Sequence, residues 1–310
     1  VKPEEIKQKR VLFASLNWGM GHLSRSIALI NRLIHQENIL FFAGNEKQIE
    51  IISLYFPHVK CFSLNDYPFK FGNQGHFAFD LLRTAKPLYK RFKRESKDCN
   101  KLVNQLKIDI VISDHRYGFK SQLAKNIFIT HQINLPLTKL QFPMQILHKR
   151  LMNRFDWIWI PDTIDSRYAG KLSMINNNTK YIHIGILSRF EIYGNQVNKT
   201  LDSTIIVSGP EELASDFLKS QIEAAIDKKM SRITIISSII NDYSKRQLIE
   251  IEYIKNWIDA DKVILHSKSI ISRSGYSTIM DIAYLQCESY LTPTPGQKEQ
   301  EYLYQKWKEN

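Results

Sequence analysis

The sequence predicts an α/β protein made of two doubly wound units, each a mostly parallel sheet with helices on both faces. Three observations lead there. Short apolar runs of strand length alternate with helical patterns along the whole chain, the signature of successive βαβ units. One polar, aperiodic stretch, "SRFEIYGNQVNKTLD" (188–202), breaks that alternation and reads as a linker. The chain has 310 residues, long for one core and comfortable for two. The expected domains are therefore 1–187 and 203–310.

In the first half, "RVLFASL" (10–16) reads as a buried strand and "LSRSIALINRLIHQ" as the helix after it. "ILFFAG" (39–44) is the next strand, "EKQIEIISLYF" a helix and "VKCFSL" (59–64) a third strand. A loop rich in Gly, Asn and Phe spans 65–79, and a long basic helix runs from there to about 106. "IDIVISD" (108–114), "NIFITHQ" (126–132), "WIWIPD" (157–162) and "YIHIGIL" (181–187) complete the first sheet. The second unit opens with "STIIVSGPEE" (203–212) and a helix over about 213–228. "RITIISS" (232–238) is followed by a helical pattern to about 257. "ADKVILH" and "SIISRSG" come next, then the helix "YSTIMDIAYLQ", a strand and turn in "ESYLTPTPGQ" (288–297), and a last helix. Two such units joined by a linker leave a cleft, and open parallel sheets bind ligands at the carboxyl ends of their strands.

Composition narrows the class. Hydrophobic content of 43% and charged content of 24% are ordinary for a globular protein. No apolar run approaches the roughly 20 residues of a membrane helix. The start, "VKPEEIKQKR", lacks the apolar core of a secretory signal. Cys61, Cys99 and Cys287 are odd in number and not spaced as metal ligands. They read as reduced thiols in a cytoplasmic protein. The net charge of +12 points to an anionic partner. It concentrates in "KPLYKRFKRESKDCNK" (86–101) and "LHKRLMNRF" (147–155), with Phe69, Phe71, Phe77 and Phe79 just ahead of the first cluster. Aromatic groups beside cations suit an anionic membrane surface; core aromatics beside a solvated helix are the plainer alternative. No zinc-finger, helix-turn-helix or RNA-binding pattern supports nucleic acid as the partner.

Four stretches carry the candidate chemistry. "NWGMGHLSRS" (17–26) is a glycine turn opening into a helix. It departs from the dinucleotide fingerprint, because Ser24 stands at the third glycine and no acid ends the next strand. Gly19 and Gly21 make a tight turn. His22 falls in the first helical turn, where a histidine can act as general base or bind an anion. "ISRSGYSTIMD" (271–281) follows an apolar run and opens a helix. Ser272 or Ser274 can cap that helix; alternatively Arg273, Ser274 and Gly275 meet a phosphate at its N-terminus. Asp281 lies further along the helix, where a carboxylate can accept from a vicinal diol. "TPTPGQKEQEY" (292–302) places Gln297 and Gln300 after a rigid turn, amides suited to a sugar. "VSGPEE" (207–212) adds a small turn with Ser208 and Gly209. Asp114 ends the strand "IVISD" beside His115 and Arg116. It is a loop hydrogen-bond acceptor or a second candidate base, and the choice between Asp114 and His22 stays open.

Taken in this order, "GMGHLSRSIALINRL", "SDHRYG", "SRSGYSTIMDIAYL" and "TPTPGQKEQEYL" resemble glycosyltransferase family 28. This is the MurG-like superfamily of UDP-N-acetylglucosamine transferases. The nearest branch is the UDP-N-acetylglucosamine–LPS transferase-like proteins. The resemblance spans nearly the whole chain. It implies a GT-B fold, two Rossmann-like domains facing each other across a cleft. It implies inverting, metal-independent transfer of a hexosyl group, N-acetylglucosamine in that family, from a UDP-sugar. The acceptor implied is a lipid-linked or cell-envelope glycan, reached from the cytoplasmic face of the membrane. The UDP-sugar is a substrate, and no other cofactor is implied. Ser274 and Gly275 would meet the diphosphate with Arg273 nearby, Asp281 the ribose, and Gln297 and Gln300 the donor sugar. Ser208, Gly209, Gly19 and Gly21 would line the donor site, and His22 would face the reacting centre. Family members continue beyond the equivalent of Asn310, so the resemblance also implies a shortened C-terminal domain. Two other readings use the same residues: an epimerase acting on UDP-N-acetylglucosamine, and a binding protein that has lost its chemistry.

Overall fold

A computed structural model of the chain describes residues 1–17, 20–67, 77–136, 142–175, 178–194, 198–209, 211–227, 232–237, 239 and 250–309, with backbone alone for 77–86, 232 and 250. It divides into two compact units, one built from Val1–Trp18 and His22–Leu187, the other containing Ser188–Asn310.

The first unit holds seven parallel strands: β1 (Arg10–Ser15), β2 (Ile39–Gly44), β3 (Lys60–Ser63), β4 (Ile110–Asp114), β5 (Lys125–Ile129), β6 (Trp157–Ile160) and β7 (Tyr181–His183). Their order across the sheet is β3-β2-β1-β4-β5-β6-β7. The order runs outward in both directions from the β1–β4 pair, in which Ser15 lies opposite Asp114. That is the topological switch point of a doubly wound sheet. The helices are α1 (Gly21–Ile34), α2 (Glu46–Tyr55), α3 (Phe77–Leu106) and α4 (Phe142–Met152). The apolar content of β1, β2 and β4 buries both faces, as a parallel sheet requires. Leu12, Phe41 and Val111 pack with Cys99, Val103 and Leu106 of α3. Phe128, Ile158 and Ile160 pack with Met152 at the end of α4 and Phe155 beyond it. Asn45 caps α2 by accepting from Gln48 N–H, and the Gln48 side chain returns the bond.

The second unit has five parallel strands: β8 (Leu201–Ile206), β9 (Arg232–Ile236), β10 (Glu250–Ile254), β11 (Ser267–Arg273) and β12 (Glu288–Thr292). They are ordered β10-β9-β8-β11-β12, so its switch point is the β8–β11 pair. Its helices are α5 (Glu211–Asp227), α6 (Trp257–His266), α7 (Tyr276–Leu285) and α8 (Lys298–Glu309). Ile205, Ile233 and Ile235 pack on Phe217, Leu218 and Ile222 of α5.

Three local expectations are corrected, and one stretch without an assignment is placed. Residues 250–254 form a strand, not the end of a helical pattern. "EIEYI" alternates, and Ile251 and Tyr253 turn to the core beneath α5, which is the period of an edge strand. "ADKVILH" lies in α6, whose N-terminus Asn256 caps. Neither Ser272 nor Ser274 caps α7: its N-cap is Gly275, with no side-chain cap. Within 188–202, Arg189–Tyr193 form a 3-10 turn, and Leu201 and Asp202 already belong to β8.

Candidate functional site

The switch point of the first sheet gathers the sequence's two candidate catalytic residues. Asp114 is the last residue of β4, fully buried, and its carbonyl accepts from Leu16 N–H at 2.9 Å, tying the ends of β1 and β4 together. His22 sits in the first turn of α1, which leaves the β1 loop. Its Nδ1 lies 3.0 Å from Asp114 Oδ1.

A third residue, Arg25, completes the cluster. It stands three positions after His22, on the same helix face, and is only 3% exposed. Arg25 Nε donates to Asp114 Oδ2 at 2.7 Å, and Nη2 donates to Asp114 Oδ1. Nη2 also lies 2.6 Å from His22 Nδ1, and Nη1 lies 3.1 Å from His131 Nδ1. His131 is in the segment leaving β5, and the His115 ring stands edge-on to His22 with centroids 5.1 Å apart. His115 has a left-handed backbone (φ 57°), uncommon for a non-glycine residue, and its Nε2 meets Thr130 Oγ1 at 2.5 Å.

Charge in the cluster is well defined. Burial opposes ionisation of Asp114, but the Arg25 guanidinium and His22 outweigh it and hold the carboxyl well below its usual range. Burial, then the charge of Arg25, pushes the His22 pKa down against the pull of Asp114. His115 is pushed well down by burial and by His22 and Arg25. At neutral pH the Asp114 carboxylate therefore stands beside neutral His22 and His115 rings.

Behind it, a second buried network fixes the β4 exit. Arg116 Nε donates to Glu95 Oε1 of α3 at 2.5 Å, and Tyr67 donates to Glu95 Oε2 at 2.6 Å. Arg116 Nη2 donates to Asn65 O at 2.7 Å. Both side chains of the ion pair are fully buried.

In the second unit the expected donor-binding residues cluster at the β8–β11 switch point. Ser208 and Gly209 follow β8, exposed, with Gly209 at φ 110°. Ser274 and Gly275 follow β11, leading into α7. Ser274 Oγ donates to Gln300 O at 2.9 Å. Gly275 has φ −71° and ψ 145°, open to any residue, and a Cβ there would meet nothing nearer than Thr278 Oγ1 at 3.8 Å. Gln300 Nε2 donates to Gln297 Oε1 at 2.7 Å, so the two amides stand together.

Arg273 and Asp281 are spoken for inside the unit, as is the Gln300 amide, whose Oε1 also accepts from Thr294 N–H at 2.9 Å. The Arg273 guanidinium lies over the Phe217 ring and donates to Pro293 O and Leu213 O. The Asp281 carboxylate accepts from Ser188 Oγ at 2.7 Å and from Arg189 Nη1 at 2.6 Å. Arg189 Nε donates in turn to Asp261 at 2.6 Å. Burial pushes the Asp281 pKa up to about 6 against the pull of Arg189. Gly19 lies outside the described residues, and Gly21 is the first residue of α1.

Of the basic clusters, Lys90, Lys93, Arg94, Lys97 and Lys101 of α3 are exposed, as are Lys149 and Arg150 of α4 and Arg154 beyond it. Arg91 is not among them: it donates to Asn65 O at 2.6 Å and is 10% exposed. Phe69 and Phe71 lie outside the described residues, and Phe77 and Phe79 are described by backbone alone. Among the described residues no helix is long and apolar enough to cross a membrane, and no cluster of His, Cys, Asp and Glu could hold a metal ion.

Sequence reasoning missed Arg25, His131 and Glu95. Arg25 had a signal, its i+3 spacing from His22 just ahead of the apolar run 27–30. His131 and Glu95 had none, because sheet order and a long-range ion pair bring them in.

No protein-family model matches the chain, and no curated protein matches it. Solved structures do. The glycotransferase of kitacinnamycin matches with a TM-score of 0.65 at 12% identity, over 97% of this chain and 85% of its own. LpCGTa in complex with UDP matches with a TM-score of 0.60 at 14% identity, over 96% and 83%. MurG of Acinetobacter baumannii matches with a TM-score of 0.53 at 14% identity, over 97% and 84%. With its two all-parallel, doubly wound sheets, the chain has the GT-B fold of these glycosyltransferases.

Proposed function

We propose that the protein is a glycosyltransferase that moves a hexosyl group, N-acetylglucosamine, from a UDP-sugar to a lipid-linked or cell-envelope glycan with inversion. The observation that carries this is the buried His22–Asp114 pair at the switch point of a GT-B first unit. One structural neighbour holds UDP, which supports the nucleotide of the donor.

The second unit would hold the donor. The α7 N-terminus has no side-chain cap and presents the positive end of the helix dipole, which suits a diphosphate. Gly275 supports this placement. Neither its dihedrals nor its neighbours call for glycine, whereas close approach of a phosphate to the backbone does. Gln297 and Gln300 would meet sugar hydroxyls, and Ser208 and Gly209 would line the same end of the sheet. Asp281 contributes by holding Ser188 and Arg189 against α7, because both of its oxygens are engaged there.

In the transfer step the acceptor oxygen forms a bond to the anomeric carbon as the bond to the diphosphate breaks. UDP gains the charge of the broken bond, and the hydroxyl proton goes to His22 where His22 is the base, or to an oxygen of the leaving diphosphate where it is not. Asp114 is too enclosed to meet a substrate and acts through its neighbours. His22 is 16% exposed and is the side chain that can reach reacting atoms. Two roles fit it, taking the hydroxyl proton on a bare Nε2 or donating Nε2–H to a phosphoryl oxygen. They need opposite ring tautomers. The exposed cations of α3 and α4 would hold the protein at an anionic membrane that presents the acceptor.

Calorimetry with UDP and UDP-N-acetylglucosamine tests the donor site. Gly275→Ala should fold normally and bind UDP at least tenfold more weakly than the wild type. Equal affinity would remove the α7 N-terminus from the site. Product analysis with a lipid-linked acceptor then separates transfer from epimerised donor or from binding without turnover.

A further inference from the structure

The proton inventory around His22 is set by Arg25. A guanidinium carries five N–H donors, no acceptor, and stays protonated at every accessible pH. Its Nη2 lies 2.6 Å from His22 Nδ1 and also donates to Asp114 Oδ1. A protonated Nδ1 would put two donors face to face at that distance. A bare Nδ1 accepts the second Nη2 hydrogen, while the first goes to the carboxylate. The same guanidinium donates from Nη1 to His131 Nδ1. Asp114 competes for His22 Nδ1 from 3.0 Å. Asp114 keeps further acceptor sites beside the two that Arg25 Nε and Nη2 fill, but an Nδ1–H turned to it would still face the Nη2 donor at 2.6 Å.

We infer that Arg25 is a positioning residue that fixes neutral His22 as its Nε2–H tautomer, making His22 a hydrogen-bond donor to a phosphoryl oxygen rather than a resting base. Among the described residues Nε2 has no hydrogen-bond partner, so the N–H is available to a ligand. Arg25 also lowers the basicity of the ring, which keeps it neutral and the tautomer defined. The charged and titratable groups facing it are Arg25 on α1, Asp114 and His115 at the end of β4, and His131 after β5. The role at a phosphoryl oxygen rests on the glycosyl-transfer reading; the tautomer does not.

The test reads the ring nitrogens directly, on the protein without substrate. Long-range proton–nitrogen NMR distinguishes a protonated ring nitrogen from a bare one, with His22→Gln assigning the signals. The wild type should show a protonated Nε2 and a bare Nδ1 at pH near 7. In Arg25→Met the proton should move to Nδ1, where Asp114 can accept it, and the His22 pKa should rise. Arg25→Leu, which likewise removes every donor at that position, gives the same comparison should Arg25→Met fold poorly. A protonated Nδ1 in the wild type overturns the inference without any variant. An unchanged tautomer in a folded Arg25 variant overturns the assignment to Arg25. Titration with UDP then reads the role separately: the Nε2 signal should shift on binding. UDP that binds without moving it would leave the tautomer standing and overturn the phosphoryl role. If UDP does not bind, the donor reading fails while the tautomer result remains.

Discussion

Arg25 and Asp114 form a buried ion pair in which each partner is the other's solvation. Removing one leaves the other charged and unpaired, a loss of about 3–5 kcal/mol, whereas apolar replacement of both is far milder. Asp114→Asn should therefore lower stability by roughly that amount in denaturant melts, and Arg25→Met with Asp114→Leu should recover most of it. Acid should act on the histidines. His148 donates Nε2–H to Gln132 O at 2.7 Å and accepts from Tyr117 at 2.6 Å, and burial pushes its pKa down to about 4. The unfolded chain takes up that proton near 6.5 and the native state only near 4, so stability falls as pH drops through that window. Between pH of about 7.5 and about 5 this one group costs about 2 kcal/mol. Asp281 works in the opposite direction, because its raised pKa makes the folded second unit bind the extra proton. The comparison that isolates His148 is His148→Gln, which should flatten the acid-side loss by that amount in melts across the same range.

At the scale of elements, the turn after β4 has the least tolerance. A Cβ on Gly118 would lie 2.5 Å from Glu95 Oε2 and 2.7–2.8 Å from backbone atoms of Phe92. The backbone of α3 cannot step aside without breaking the Glu95–Arg116 pair. Gly118→Ala should cost about 1–3 kcal/mol, more if the ion pair opens, and thermal melting reads it. An unchanged Tm would mean that α3 moves freely against the turn. Much of this scale was legible: β2 and the placement of α1 followed from apolar runs and helical periodicity. The β10 strand was not, because a five-residue edge strand that alternates with acids resembles a polar helix face when neighbouring elements are unknown.

At the scale of the molecule, the exposed cations of α3 and α4 lie on the first unit. Each contributes about 1 kcal/mol near an anionic lipid surface. Neutralising Lys90, Lys93, Arg94 and Lys97 together should abolish co-sedimentation with anionic vesicles and leave UDP affinity unchanged. Unaltered co-sedimentation would mean that the charge serves solubility alone. Arg91 is left out of that set, since it holds the Asn65 loop rather than facing solvent.

The sequence by itself determined the alternation of strands and helices, two α/β halves, and the presence of His22 and Asp114 at strand exits. It did so because periodicity and glycine turns are local properties. Only the tertiary structure decided what surrounds those groups. Arg25 reaches Asp114 across 89 positions, and Ser188 and Arg189 reach Asp281 across 93 and 92. Such pairings follow from strand order at the two switch points, which no local pattern encodes. They place a guanidinium and a carboxylate beside a lone histidine, and give Asp281 partners on the segment ahead of β8.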